Sequence, residues 1–459
     1  MTDQQQKEID RTFLILCQFT SAHFWGGAIL PVSIIYIIEN ISGTTPFLLS
    51  ILVAITTGML LISTIFFGFL SEKLNKKNAK KKVLMISEAI LFTTLGLAAF
   101  AQHFIFYSIC LAISSFAGGA FTPLAVTMVA ELYPPEERGN KYGVMNFWNI
   151  LGAGGGILFG AIFNSFLGPL GWRIMYVLIF LLGLLNIISY YHFGIEPERG
   201  RVEPEFHDFE GTIEYDYKIT FEKFKRLIKK RTVAGILLFV LISSICIVPL
   251  GLWTIYYFST KFGGNREMAM FYATLLVILT GFGTLFGNLI GGKIGDKLYK
   301  SGKPRRRVVL VLISVLIGSF TLLIFYMIPF NKSTLIWVII SWTTLLVIGF
   351  SSYLIGACYT GNLGAIYTEI CSPEERSTIN SISLIMSNIG GIIGHLIMAI
   401  MLQDSLSNLP MAITLLLIIF ICSSFILIIP YLNYSREAME CRELMETRRK
   451  EIEAKKIHT

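Results

Sequence analysis

Charge is what this sequence has least of. Of its 459 residues only 15% are Asp, Glu, Lys or Arg, where a soluble globular domain carries about a quarter, and the mean hydropathy is +0.66. The few charges gather into short blocks separated by apolar runs of about 20 residues or more, the length that crosses about 30 Å of hydrocarbon. That pattern excludes a large soluble core and reads as an all-α polytopic membrane protein. Also missing is a glycine loop closed by Lys and Ser or Thr, so nothing cradles a nucleotide phosphate. No His and Cys cluster has metal-ligand spacing, and no nucleophile stands beside a base at a recognisable distance. The sequence therefore supports no enzyme, no metal and no cofactor, and energy for any transport has to come from a gradient. The seven cysteines are odd in number and have no redox spacing; they read as small packing residues.

The formal charge of +8 is a matter of topology rather than of a nucleic-acid partner. Lys73, Lys76, Lys77, Lys80, Lys81 and Lys82 fall in one inter-helix stretch, and Lys293 to Arg307 form a second on the same side. Intervening loops such as 39–46 carry almost no Lys or Arg. The positive-inside rule then places the basic loops and both termini in the cytoplasm of a multi-pass cell-membrane protein. The polar start, Met1 to Arg11, leads into an apolar run too long for a cleaved signal, which is expected to remain as the first helix.

Hydropathy predicts twelve spans, at about 12–38, 46–70, 83–101, 104–130, 141–166, 172–194, 232–258, 267–291, 307–329, 336–368, 377–402 and 411–433. They group as an N-terminal six-helix bundle over 1–194, a cytoplasmic linker over 195–231, a C-terminal bundle over 232–434 and a charged, helical tail over 435–459. The linker ends in a basic amphipathic stretch at 221–231, which reads either as a helix on the inner leaflet or as a solvated connection. The apolar stretch 333–370 exceeds one simple span, and Gly356, Gly361 and Gly364 mark it for a tilted or broken helix.

The chain repeats itself. Gly68-Phe-Leu-Ser-Glu72-Lys73-Leu returns as Gly292-Lys-Ile-Gly-Asp296-Lys297-Leu, 224 residues later. Glu131-Leu-Tyr-Pro-Pro-Glu-Glu-Arg138 returns as Glu369-Ile-Cys-Ser-Pro-Glu-Glu-Arg376, and Gly152 and Gly156 return as Gly390 and Gly394, both at an offset of 238. Parallel repeats of about six helices, with sites at the midplane between them, are how one large class of secondary transporters is built. Over nearly its whole length the chain resembles the major facilitator superfamily, whose fold is two pseudo-symmetric six-helix bundles. By that resemblance Gly68, Glu72 and Lys73 with Glu131 and Arg138, and Gly292, Asp296 and Lys297 with Glu369 and Arg376, are cytoplasmic latch residues, with Glu72 paired to Arg138 and Asp296 to Arg376. Gly68 and Gly292 are expected to let helices approach closely. The alternative reading makes all of these plain topology charges. Gly143, Gly152, Gly156 and Gly160 resemble the glycine motif of the fifth helix in many antiporters, with Ile157 where proline is usual.

Ionisable groups inside spans are few, and each is a candidate for function. His23 lies mid-way along the first span and His395 in the eleventh; each reads either as a substrate or proton site or as a packing histidine. Glu88 reads as a helix-start charge. Gln18, Trp25, Asn146, Asn149, Trp253, Tyr256, Tyr257, Tyr359 and Asn362 are candidates to line a cavity, with helix packing as the alternative for each.

Gly27-Ala-Ile-Leu-Pro31, Glu196-Pro-Glu-Arg-Gly200 and 253–258 are similar to the Spinster-like group, which exports lysophospholipids, sphingolipids and related amphiphiles. The chain departs from that group with Ala22-His23 where Asp-Arg is typical, Leu111 where many members carry Arg, and Gly118 where Glu is often found. The expected function is alternating-access transport of a small organic, amphipathic or lipid-like solute, by a monomer in contact with membrane lipids. Coupling is either to protons, through His23 or His395, or absent, as in a uniporter. A sugar or drug transporter is the alternative solute reading, and a non-transporting sensor or scaffold is the alternative of another class. Retention of both latch acids favours transport.

Overall fold

The computed structural model describes residues 3–73, 78–133, 135–196, 225, 227–301 and 305–457. Apart from one isolated bridge between Ser42 and His103, regular structure among these residues is helical, the arrangement that satisfies backbone groups within each segment. The helices are α1 (Asp3–Asn40), α2 (Pro46–Lys73), α3 (Ala79–Ala98), α4 (Phe104–Gly118), α5 (Phe121–Leu132), α6 (Pro135–Leu167) and α7 (Gly171–Phe193). There follow α8 (Arg231–Phe262), α9 (Arg266–Lys300), α10 (Arg305–Met327), α11 (Leu335–Ala357), α12 (Thr360–Ile370), α13 (Pro373–Met401), α14 (Leu409–Ser423) and α15 (Ile428–Ile457). Ten helical segments among the described residues are long and apolar enough to cross a membrane, and one of them, Asn140–Phe193, takes in both α6 and α7. The protein is an all-α multi-pass membrane protein.

Three expectations are corrected. The span expected at 104–130 is present as Phe104–Leu132, but it carries an unforeseen interruption: α4 stops at Gly118 and α5 begins at Phe121. A Cβ on Gly119 would lie 2.9 Å from the Leu60 carbonyl oxygen of α2 and closer still to Ser63. The Phe116 carbonyl accepts instead from the Ser63 hydroxyl, so a neighbouring helix takes over hydrogen bonding where the ladder is interrupted. Secondly, Gly68–Lys73 and Gly292–Lys300 are not turns but the last turns of α2 and α9. Thirdly, the apolar stretch 411–433 is interrupted by a 3₁₀ turn at Ser424–Leu427, after which α15 carries the helix into the tail.

The expected break in 333–370 falls at Cys358 and Tyr359, between α11 and α12. Asn362 bridges it, its amide donating to the Cys358 carbonyl at 2.9 Å and to the Gly291 carbonyl of α9 at 2.8 Å. The linker residues 197–224, including most of the amphipathic stretch, lie outside the described residues.

Two compact units result. One comprises Met1–Glu214, Gly251–Leu275 and Met398–Leu406; the other comprises Tyr215–Leu250, Leu276–Ile397 and Ser407–Thr459. Small residues set the packing in both, because helices in lipid associate through close backbone approach rather than through a hydrophobic driving force. In the first unit Gly152, Gly156 and Gly160 run down one face of α6 against α1. A Cβ at Gly152 would lie 2.8 Å from Ser21 Cα and nearer still to its carbonyl oxygen, one at Gly156 would lie 2.8 Å from Ala28 Cβ, and one at Gly160 would meet Val32. In the second unit Gly390 and Gly394 of α13 meet α8 in the same way, at Ser244 and Pro249.

Candidate functional site

The interior of the first unit holds one acid that its place in the sequence assigns to the periphery. Along α3 the buried positions Leu84, Ser87, Glu88, Leu91, Phe92 and Leu95 follow helical spacing, and Glu88 falls on that inward stripe. It is not a helix-start charge: it stands about two and a half turns into α3 and is fully buried. Both carboxylate oxygens meet His23 Nε2 of α1, at 3.0 and 2.8 Å. The imidazole retains 15% of its exposure and the carboxylate none. Phe92 and Phe121 flank the ring, with centroids 5.9 and 4.7 Å away. A Cβ on Gly118 of α4 would come within 3.7 Å of it. The inward stripe of α3 was the signal in the sequence; its partner was 65 residues away.

The other cavity candidates fall in both units. Trp25 stacks on Phe159 of α6, with centroids 5.1 Å apart. Asn149 donates to Asn146 at 3.4 Å along α6, and Gln18 is half-buried on α1. Near the end of α8, Trp253 meets Tyr256 edge-on at 6.2 Å, and Tyr257 is buried beside Phe258. In the second unit Tyr359 packs edge-on against Phe239 at 5.7 Å, Asn362 is committed to backbone carbonyls, and His395 is buried. Among the described residues Trp25 Nε1, Trp253 Nε1 and His395 Nδ1 are buried atoms without a hydrogen-bond partner.

At the basic ends of the helices, each unit contains a buried cation on an acid. Lys80 of α3 pairs with Glu131 of α5, and both are buried. Arg307 of α10, also buried, pairs with Glu369 of α12 and reaches the exposed Asp296 of α9 at 2.9 Å. Tyr434 of α15 donates to the same Glu369. Burial pushes the Glu369 carboxyl above its ordinary range, against the opposing pull of the Tyr434 hydroxyl and the Arg307 charge. Glu72, Lys73, Arg138 and Arg376 have side chains outside the described residues, while Lys297 is exposed. Among the described residues a Cβ at Gly292 would meet nothing within 4 Å, whereas Gly291, against Cys358, and Gly295, against Asn362, are points of close helix approach.

At the opposite end of the first unit, Arg266 of α9 forms an ion pair with Glu39 of α1. Nearer the basic end, a lateral apolar cleft of about 510 Å³ lies among α2, α3 and α4, lined by Met59, Phe67, Ile86, Ile113 and Phe116 among others.

Residues 14–395 match the family described as Major Facilitator Superfamily. No curated protein matches the chain. Among solved structures, a bacterial homologue of the human lysosomal transporter Spinster, in an inward-facing and unoccupied conformation, is 16% identical, with 96% of this chain and 98% of that one covered and a TM-score of 0.68. A point mutant of a nucleoside transporter is 16% identical, with 93% of this chain and 99% of that one covered and a TM-score of 0.64. A D-xylose–proton symporter is 13% identical, with 91% and 97% covered and a TM-score of 0.63. At these identities the likeness is one of fold.

Proposed function

The chain belongs to the Major Facilitator Superfamily, and from that premise we propose that it carries a small organic solute, uncharged or amphipathic and lipid-like in character, by alternating access between the membrane faces. It is a multi-pass secondary transporter, and its family is one of transport proteins rather than enzymes. In this reading twelve spans form two six-helix bundles, the basic loops and both termini are cytoplasmic, and a monomer is the working unit.

One observation carries the choice of solute. Among the described residues the buried cations are Lys80 and Arg307, and both are committed to acids of their own unit, Glu131 and Glu369. A strongly anionic solute needs a buried cation free to meet it. The lateral apolar cleft of the first unit and the fold likeness to the Spinster homologue support an amphiphile over a sugar. Coupling is to protons or to no ion.

The two acid–cation clusters at the basic ends are proposed as the cytoplasmic latch, with Asp296, Arg307 and Glu369 in one and Lys80 and Glu131 in the other. If Glu72→Gln combined with Asp296→Asn leaves conformational exchange unchanged, Glu72 and Asp296 are not latch acids. The solute class is tested by thermal shift of the purified protein against lysolipids, sphingoid lipids, sugars and cationic drugs. Stabilisation by single-chain amphiphiles is expected; stabilisation by sugars or cationic drugs alone overturns the lipid-like reading.

A further inference from the structure

We propose that His23 and Glu88 together form a proton-binding site, by which the transport cycle is coupled to proton movement. The proposal rests on the transporter reading above and replaces its open choice of coupling.

The geometry supplies a place for one proton between two bases. Nε2 lies 2.8 and 3.0 Å from the two oxygens of a single carboxylate, within hydrogen-bond reach of both, so a proton taken up by the pair can rest on either group. The pair is an imidazolium on a carboxylate, or a neutral imidazole accepting from a carboxylic acid, and carries no net charge in either form. Loss of one proton from the pair, taken from Nδ1 of the imidazolium form, leaves Glu88 ionised and fully buried, with a neutral imidazole still donating from Nε2 as its hydrogen-bonding partner, and a buried charge without a countercharge is costly. The proton therefore stays while the site is dry and leaves when water reaches it. Glu88 is sealed, so the route for exchange is through the partly exposed imidazole.

The neighbouring helices provide no competing partner. Lys80 on α3 and Glu131 on α5 pair with each other. Tyr107 on α4 and Tyr176 on α7 share a hydrogen bond at 2.9 Å, and Tyr190 on α7 donates to Met128. Arg173 on α7 donates to the Ala99 carbonyl, while Lys141 on α6 lies 4.0 Å from Asp10. Cys17 on α1 and Cys110 on α4 are buried free thiols. Among the described residues none of these bonds to His23 or Glu88.

Packing alone does not require the pair. At the offset of 227 that relates Lys80 to Arg307, Glu88 corresponds to Val315, which is fully buried in its own unit. At the offset of 220 that relates Ser21, the partner of Gly152, to Leu241, the partner of Gly390, His23 corresponds to Ser243. By these offsets the second half carries a buried valine and a buried serine at the matching positions, so no ionisable group recurs there.

The test reads proton binding directly and needs no identified solute. Infrared difference spectra of the full-length protein in lipid nanodiscs, taken between mildly acidic and mildly alkaline pH, are compared for the native chain, Glu88→Gln and His23→Gln. Thermal melting selects variants that retain the fold, and Glu88→Val, which copies the second half, is the replacement if Glu88→Gln fails. The expected result is one titrating carboxyl signal in the native protein, lost on replacing Glu88 and displaced along the pH axis in His23→Gln. Native and Glu88-substituted spectra that superimpose, or a carboxyl signal indifferent to His23→Gln, overturn the proposal. Failure of the solute screen alone touches only the solute reading. Once a solute is in hand, its accumulation in proteoliposomes should depend on a pH gradient in the native protein and not in the Glu88 variant; unchanged gradient dependence in that variant overturns the coupling role.

Discussion

Gly152→Ala tests whether close backbone approach holds α6 to α1. The added Cβ would lie 2.8 Å from Ser21 C and Cα and nearer still to the Ser21 carbonyl oxygen, whereas ordinary contacts begin at 3.4 Å. The obstacle is backbone, which has no rotamer to change, so relief requires the two helices to part. Overpacking of this kind costs about 1–3 kcal/mol, with the upper end expected because Gly156 and Gly160 continue the same contact and part with it. Opposing this, alanine is a better helix former than glycine by up to about 1 kcal/mol. Gly154→Ala isolates that opposing effect, since its Cβ would meet nothing within 4 Å. Equilibrium unfolding of both variants in one detergent should show Gly152→Ala destabilised by about 1–2 kcal/mol and Gly154→Ala unchanged or slightly stabilised. Gly390→Ala should behave as Gly152→Ala, its Cβ falling 2.9 Å from Ser244 Cβ and closer to the Leu241 carbonyl. Equal stability of Gly152→Ala and Gly154→Ala would refute the argument that this glycine seam sets the packing.

Three further outcomes follow from polar contacts. Lys80→Met strands the buried Glu131 carboxylate and should cost about 3–5 kcal/mol of unfolding free energy, while Lys80→Met with Glu131→Gln should recover most of it; equal losses in the single and double variants would count against a buried ion pair. Glu437 of α15, itself buried, accepts the first backbone N–H groups of α8 from Arg231 and Thr232, at 2.8 and 3.2 Å. Glu437→Ala leaves that helix start unsatisfied and should cost about 1–3 kcal/mol, read as a lowered melting temperature and faster amide exchange at 231–234. Glu39 and Arg266 form an ion pair that remains half exposed, so Arg266→Gln should change stability by less than about 1 kcal/mol; a larger loss in detergent melts would mean that the pair anchors the end of α1.

Much of the fold was legible because it follows from local composition. Apolar runs between charge blocks located the membrane helices. The break in 333–370 was legible from an excess of apolar length and its glycines. The break at Gly119 was not, because Gly118 and Gly119 stand in a run of ordinary span length, and what interrupts it is the Ser63 side chain of another helix. Asn362 illustrates the same limit. Its residue type and depth suited a cavity, but its amide is spent on the carbonyls of Gly291 and Cys358.

By itself the sequence determined that this is an all-α, multi-pass membrane protein, because lipid demands long apolar helices and strands no backbone group. Only the tertiary structure decided which charges face each other. Glu88 lies close enough to the lysines of 80–82 to pass for a boundary charge, and the apolar stripe it shares with Leu84, Leu91 and Leu95 is the one local sign against that. It becomes a buried acid because α1 lays His23 across it and α3 turns its inward stripe toward that helix. Burial and partnership are properties of two segments together, and for His23 and Glu88 those segments are 65 residues apart.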